Sequence, residues 1–409
     1  MKIVFWLSLA GILYTYVGYP MAIWLVARVR PRPWKFAPIT PSVSIVLAVH
    51  NGAALLPRKL QQLLHLDYEN VKEIIIVSDG STDGTAEILS GERHPRMKVI
   101  VLKEHCGKAA AVNAGMAQAT EDVILFLDIR PEIAPAAIRQ LVGNFADAKV
   151  GCVAGELILR REDHATTAAV VGGLYWRYEK WIRKCESAID SPVGVSGCFY
   201  AIRRELAVQQ PAGMILDDMF QPLSIIRQGY RSVLDVNANV YDALPESAAG
   251  EFHRKVRTLA GNFQLFRLAP WTLTLQNRVL YQLVSHKVMR LIAPYWMVLL
   301  LVSTLALSPG SRIYAVLAAI EIFSVVLAIV SLRFKIPVVH RVAAPASALL
   351  MLNAAAVVGF YRFLFTDGPL WKIWSSHKPM TNGSTAEAEN LPAPNLAVAQ
   401  MEPDVDLSK

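Results

Sequence analysis

The 409-residue chain is 54% hydrophobic and carries a formal net charge of +8, with a mean hydropathy of +0.34. Long uncharged runs lie at its two ends and an ordinary mixed stretch lies between them, a layout that predicts a membrane-anchored enzyme rather than a polytopic channel. No basic helix is interleaved with aromatic residues, which excludes nucleic acid as a partner. The four cysteines, Cys106, Cys152, Cys185 and Cys198, have no CxxC spacing and read as reduced, mostly buried residues of a cytosolic domain.

The first predicted element, within residues 1–30, is a transmembrane helix: Ile3 to Ala27 is uncharged and long enough to span a bilayer. Arg28, Arg30, Arg32 and Lys35 follow it, and only Lys2 precedes it. The positive-inside rule then puts the N-terminus outside and the next segment in the cytoplasm. Residues 31–41 hold Pro31, Pro33, Pro38 and Pro41 and read as a stiff linker.

From Ser42 the pattern alternates. Strands are expected at Val43–Val49, Glu73–Val77, Val99–Leu102 and Val123–Leu127. Helices are expected at Leu55–Leu64, Thr82–Leu89, with Thr82 as its cap, and Lys108–Ala119. Such alternation predicts an α/β fold with a doubly wound, mostly parallel sheet. From Gly151 to about Tyr241 short strands mix with a polar helix near Leu174 to Cys185, and the order of this block is not evident. The whole domain is placed at 42–264, followed by an amphipathic interfacial helix at 265–287. Residues 288–366 carry three apolar runs, about Leu291–Leu307, Tyr314–Leu332 and Val342–Phe365. Arg333, Lys335, His340 and Arg341 place the last connection on the cytoplasmic side; parity then puts the C-terminus outside, against which Lys372 and Lys378 argue weakly. Residues 381–409 are rich in Ala, Pro and Glu and read as a disordered tail.

Four clusters in the middle block could carry chemistry. His50 and Asn51 end the first strand, and Ile74 to Asp83 runs from a buried strand into a turn bearing Asp79 and Asp83. Lys108 opens a helix whose N-terminal dipole repels a cation, which hints at a bound anion, and Asp128 ends the fourth strand. Asp217 and Asp218 follow at Ile215 to Asp218. If both pointed into one site, the pair would raise the pKa of one of them; if they pointed apart, Asp217 would be a structural cap. Tyr175, Trp176 and Trp181 read as core aromatics at helical spacing rather than a sugar platform, and His94, His105 and His164 show no metal-ligand spacing.

In this order the clusters resemble the family 2 inverting glycosyltransferases of the GT-A fold, the membrane-embedded makers of exopolysaccharide, cellulose, hyaluronan and poly-N-acetylglucosamine. The resemblance covers Ser42 to about Arg267. It implies a nucleotide-sugar donor, a glycan or lipid-linked acceptor, a lipid bilayer around the flanking helices, and other polysaccharide assembly proteins as partners. It also implies a multi-pass protein of the inner (plasma) membrane with a cytoplasmic catalytic domain. His50, Asn51, Asp79, Asp83, Lys108, Asp128 and Arg130 would hold the donor. Asp128 would touch a Mg2+ or Mn2+ ion, and Asp218 would be the general base. Gly197 in Val195-Ser196-Gly197-Cys198 matches the turn that borders the acceptor. Asp217, Arg254, Lys255 and Arg257 would lie toward acceptor or diphosphate.

Two departures bear on these expectations. The DxD motif reads Asp128-Ile129-Arg130, so a cation stands where the second metal ligand is expected. Either Arg130 neutralises the diphosphate itself, or a carboxylate such as Glu132 supplies the missing ligand, or the chain is a non-catalytic relative. The Q-x-x-R-W region reads His253-Arg254-Lys255-Val256-Arg257-Thr258 and lacks the tryptophan, which weakens a reading as a processive polymerase. The rival from another class is a nucleotide-sugar-binding scaffold. A transporter is a poor reading, because Glu321 is nearly alone as a charge within the spans.

Overall fold

The computed structural model describes residues 1–160, 167–243, 248–334, 337–366 and 370. His164, Lys335, Lys372, Lys378 and the 381–409 tail lie outside the described residues, as do the side chains of Tyr175, Arg333, His340 and Arg341.

The elements run α1 Lys2–Leu13, α2 Tyr19–Val29, β1 Val43–Val49, α3 Leu56–Leu64, β2 Val71–Asp79, α4 Thr85–Gly91 and β3 Met97–Leu102. Next come α5 Lys108–Gln118, β4 Val123–Leu127, β5 Glu132–Ile133, α6 Ala137–Gly143, β6 Val150–Arg160, α7 Thr167–Ile189 and β7 Phe199–Arg203. The chain continues through α8 Asp217–Arg227, β8 Arg231–Ala243, α9 Ala248–Leu268, α10 Leu280–Leu283, α11 Met289–Leu307, α12 Arg312–Arg333 and α13 Pro337–Phe365.

The eight strands form one sheet in the order β3-β2-β1-β4-β7-β6-β8-β5. The first four are parallel, as expected from their unbroken Val, Ile and Leu runs. Ile45, Leu47, Ile74, Ile75, Ile76 and Leu125 are fully buried, with core on both faces. Gly115 lets α5 lie close on β1, since a Cβ there would stand 2.5 Å from Val46. The block of unclear order, 151–241, adds β7, antiparallel to both β4 and β6, while β6 and β8 are parallel. Because the chain returns from β3 across β1 to β4, the carboxyl ends of β1, β2 and β4 meet at a switch point.

Several boundaries differ from expectation. Helix α4 starts at Thr85 rather than Thr82, because Gly84 takes φ 87° and precedes it as the cap. Residues 265–287 are not one helix. They comprise the end of α9, a 3-10 turn Pro270–Leu273, a short loop, α10 and most of a π-helical turn. Asn277 organises the break: its Nδ2 donates to the Thr272 carbonyl (2.7 Å), and its Oδ1 accepts from the Val279 amide (3.1 Å). The last helix begins at Pro337, before His340. Among the described residues four helices are long and apolar enough to cross a membrane: Lys2–Val29, Leu280–Gly310, Arg312–Leu332 and Pro345–Phe365. All four cysteines are free; Cys152 and Cys185 are buried, but Cys106 is exposed.

Candidate active site

The polar cluster is built from the loops at the switch point. Asp79, 2% exposed, closes β2. Its carboxylate accepts from the Cys106 amide (2.8 Å), the Gly107 amide (2.9 Å) and His105 Nδ1 (2.8 Å). It thereby fixes the loop that launches α5. Gly80 is required beside it: φ is 58°, and a Cβ would fall 2.2 Å from the His105 amide nitrogen. His50 stacks on His105 with ring centroids 3.7 Å apart, and its Nδ1 lies 2.7 Å from the Asp79 carbonyl. No spacing in the sequence encodes the histidine pair, since only the fold brings residue 105 to residue 50.

Asn51 and Asp83 staple the neighbouring loops. Asn51 adopts φ 52°, and its Oδ1 accepts from the Thr82 amide (2.8 Å). Asp83 accepts from the Ala53 amide (3.0 Å), the Thr85 amide (3.2 Å) and the Thr85 hydroxyl (2.5 Å). Burial works against its charge, but these donors hold its pKa below the usual range.

Lys108 is the hub. Its Nζ is 3.1 Å from Asp128 Oδ1 and 3.2 Å from Asp217 Oδ2. The unfavourable helix-dipole position is thus compensated within the chain, by carboxylates from the end of β4 and the start of α8. Burial opposes the ammonium, yet Asp128, Asp217 and Asp218 around it raise its pKa.

Asp217 and Asp218 open α8 and point to different partners. Asp217 turns to Lys108, whereas Asp218 lies against Gly197, where an added Cβ would stand 2.9 Å from Asp218 Cβ and 3.3 Å from Oδ2. The Val195 amide donates to the Asp218 carbonyl (2.9 Å) and the Asp128 amide to the Cys198 carbonyl (3.2 Å), which ties the 195–198 turn to the backbone of both residues. Burial, then Asp217, push the Asp218 carboxyl up to about 6, with Lys108 pulling the other way. Such a group is ionised near neutral pH and basic enough to take a proton.

Other expected residues stand apart from this hub. Arg130 is 61% exposed at its side chain and pairs with Asp242 (3.3 Å), a β8 residue that no motif singles out. Glu132 is bound by Arg58 and, at 2.9 Å, by Arg160, so it does not complete a metal site with Asp128. Lys59, 4% exposed, anchors the same loop through the Pro131 carbonyl, and burial pulls its ammonium down to about 8. Arg254 and Lys255 both pair with Glu251 along α9, Lys255 at 3.5 Å, and Arg257 is exposed on the same helix. Trp176 is part-buried and lies near the Leu157 carbonyl, and Trp181 is 38% exposed.

A divalent ion matches the net charge of the hub, where three carboxylates stand around one ammonium. Asp128, 39% exposed at its side chain, is the carboxylate that would hold it. Among the described residues no group of three or more His, Cys, Asp or Glu side chains converges on one point.

Residues 44–208 match the family model "Glycosyl transferase family 2". The chain is 27% identical over 232 residues to a poly-beta-1,6-N-acetyl-D-glucosamine synthase of Staphylococcus aureus, covering 54% of this chain and 55% of that protein. It is 25% identical over 256 residues to a synthase of the same name from Staphylococcus epidermidis, covering 60% of this chain and 61% of that protein. The chain therefore spans little more than half the length of these relatives. Its fold is similar to that of the mannosyltransferase PcManGT from Pyrobaculum calidifontis in complex with GDP-Man and Mn2+. The TM-score is 0.68 at 21% identity, over 88% of this chain and 99% of that one.

Proposed function

We propose that this chain, whose residues 44–208 match the family model "Glycosyl transferase family 2", moves a sugar from a nucleotide-sugar donor, with inversion, onto a glycan or lipid-linked acceptor. The observation that carries the reading is the Asp218 carboxyl: part-buried, pushed up to about 6, and set against the glycine turn at 197. The relatives' name supports a role in cell-surface polysaccharide synthesis. The basic run after the first apolar helix, Arg28 to Lys35, supports a cytoplasmic catalytic domain on a multi-pass inner-membrane protein.

In this mechanism the acceptor hydroxyl gives its proton to Asp218 as its oxygen attacks the anomeric carbon. The bond from that carbon to the diphosphate oxygen breaks, and the electron pair leaves with the nucleoside diphosphate. Lys108, held by Asp128 and Asp217, stands where it meets the growing negative charge. His50, Asn51, Asp79 and Asp83 shape the loops that receive the nucleotide, and Gly197 keeps the approach to Asp218 open. A divalent ion at Asp128, like the Mn2+ of the similar mannosyltransferase complex, would supply further positive charge to the leaving group. Arg130, paired with Asp242, would contribute from the outer side.

The test is nucleoside diphosphate release by purified, solubilised protein given UDP- and GDP-sugars with a membrane lipid extract. Asp218→Asn is expected to lose about a thousandfold in rate while still binding nucleotide. Nucleotide binding without release from any donor, in the wild-type protein, would replace the transferase reading with the scaffold.

A further inference from the structure

One polar atom in the core beside the Lys108 hub lacks a partner. Tyr200 is the second residue of β7, paired with Phe126 of β4 on one side and Ala154 of β6 on the other. It is fully buried, in the core layer it shares with Ala111, Val112 and Met116 of α5. Its ring stacks on Phe126, with centroids 4.6 Å apart and planes 22° from parallel. Packing of this kind asks only for phenylalanine. The hydroxyl is present nonetheless, and among the described residues it has no hydrogen-bond partner. A buried hydroxyl left unpaired costs stability, and such groups are few in native proteins.

The phenol lies among the acids of the site. Burial first, then Asp217, Cys152, Asp218 and Asp128 around it, hold its pKa well above the ordinary value. Tyr200 is therefore a neutral proton donor at any working pH. Of the charged groups that act on it, Asp217 does so most strongly.

Asp217 is also the acid that needs a second donor. Its side chain is 7% exposed, and among the described residues Lys108 is the one cation paired with it, at 3.2 Å. The same Nζ pairs with Asp128 at 3.1 Å, but the Asp128 side chain is 39% exposed. When Lys108 swings to the growing charge on a diphosphate, water can solvate Asp128. Asp217 is then left as a buried carboxylate without its cation, which is a costly state.

We propose that Tyr200 is a positioning residue of the donor site. As a diphosphate draws Lys108 away, Asp217 turns to the Tyr200 hydroxyl, which donates to its carboxylate. The exchange holds the first turn of α8 in place, and with it Asp218 at the next position. Only hydrogen bonds are made and broken, and no proton changes owner. This role rests on the transferase reading, which supplies the diphosphate.

The test is Tyr200→Phe in the full chain in detergent, with UDP and GDP as probes. Binding is read by calorimetry, and the thermal midpoint is read without nucleotide. The variant is expected to bind the preferred nucleotide about tenfold more weakly, as the loss of one bond to a charged acceptor requires. Its midpoint without nucleotide should equal or exceed that of the wild type, since the oxygen removed has no partner there. In an Asp217→Asn background the same substitution should cost no further affinity, because the two residues act as one unit. Unchanged affinity in Tyr200→Phe would overturn the proposal. A lowered midpoint would do so as well, by showing the hydroxyl already bonded to an internal water in the resting protein. A full further loss in the Asp217→Asn background would place the effect elsewhere and overturn it too. Binding of neither nucleotide would overturn both this role and the transferase reading. Nucleotide binding that depends on Tyr200, in a protein that releases no diphosphate from any donor, would overturn the transferase reading and leave this role standing.

Discussion

The Lys108 and Glu179 clusters are charge opposites. In one, a single ammonium gathers Asp128, Asp217 and Asp218; in the other, a single carboxylate gathers Arg183, His286, Lys287 and Arg290. The first stands on strand ends and a helix start, and its surplus is negative. The second stands where helix α7 meets the apolar helices. The difference teaches how one carboxylate can act as a base. Asp218 lies between the two fields, raised by burial and Asp217 and restrained by Lys108, Arg183 and Lys287.

Removing either centre tests that balance. Lys108→Met should have the largest effect, a loss of about a hundredfold in kcat/KM, because the charge facing the leaving group goes with it. The acid limb of its pH profile should also move upward, since the cation that favours ionised Asp218 is gone. Glu179→Gln should move that limb the opposite way, because Lys287 and Arg183 are then less neutralised, with a loss of about tenfold in rate. Chelation by EDTA should reduce release by about tenfold and Mn2+ should restore it, if charge surplus at Asp128 is what a divalent ion answers. An EDTA-insensitive rate would leave the leaving group to Lys108 and Arg130 alone.

Smaller effects fall on the scaffold between the clusters. Asp79→Ala strands the Cys106 and Gly107 amides and His105, and should cost about 3 kcal/mol, read by denaturant titration of the full chain. Gly197→Ala should cost about 1–3 kcal/mol, since the new Cβ would stand 2.9 Å from Asp218 Cβ, which is fixed to the start of α8, and should reduce kcat by about tenfold. Unchanged kcat in that variant would remove Gly197 from the acceptor approach.

Much of the α/β fold was legible in the chain. Unbroken apolar runs such as Ile74–Val77 mark strands buried on both faces, and Asp79, Asp128 and Asp218 follow or precede them in an ordered series. What the chain hid depends on distance and on irregular backbone. Asp242 meets Arg130 from a distant strand, and His286 meets Glu179 across 107 positions. No local pattern encodes such pairs. The break at Asn277 and the π-helical turn at Val284–Val288 also escape a periodicity of 3.6, which smooths 265–287 into one amphipathic helix. Reversal of β7 was equally hidden, because an apolar run reads alike in either direction.

The central claim is that Asp218 takes the acceptor's proton. The most direct measurement is kcat/KM for nucleoside diphosphate release against pH, in the wild-type protein and in Lys108→Met. The account predicts a rate that falls as the pH drops through about 6, where the base becomes protonated, and a limb displaced upward in the variant. A wild-type rate that stays level well below that value, or a limb that Lys108→Met leaves in place, would contradict it.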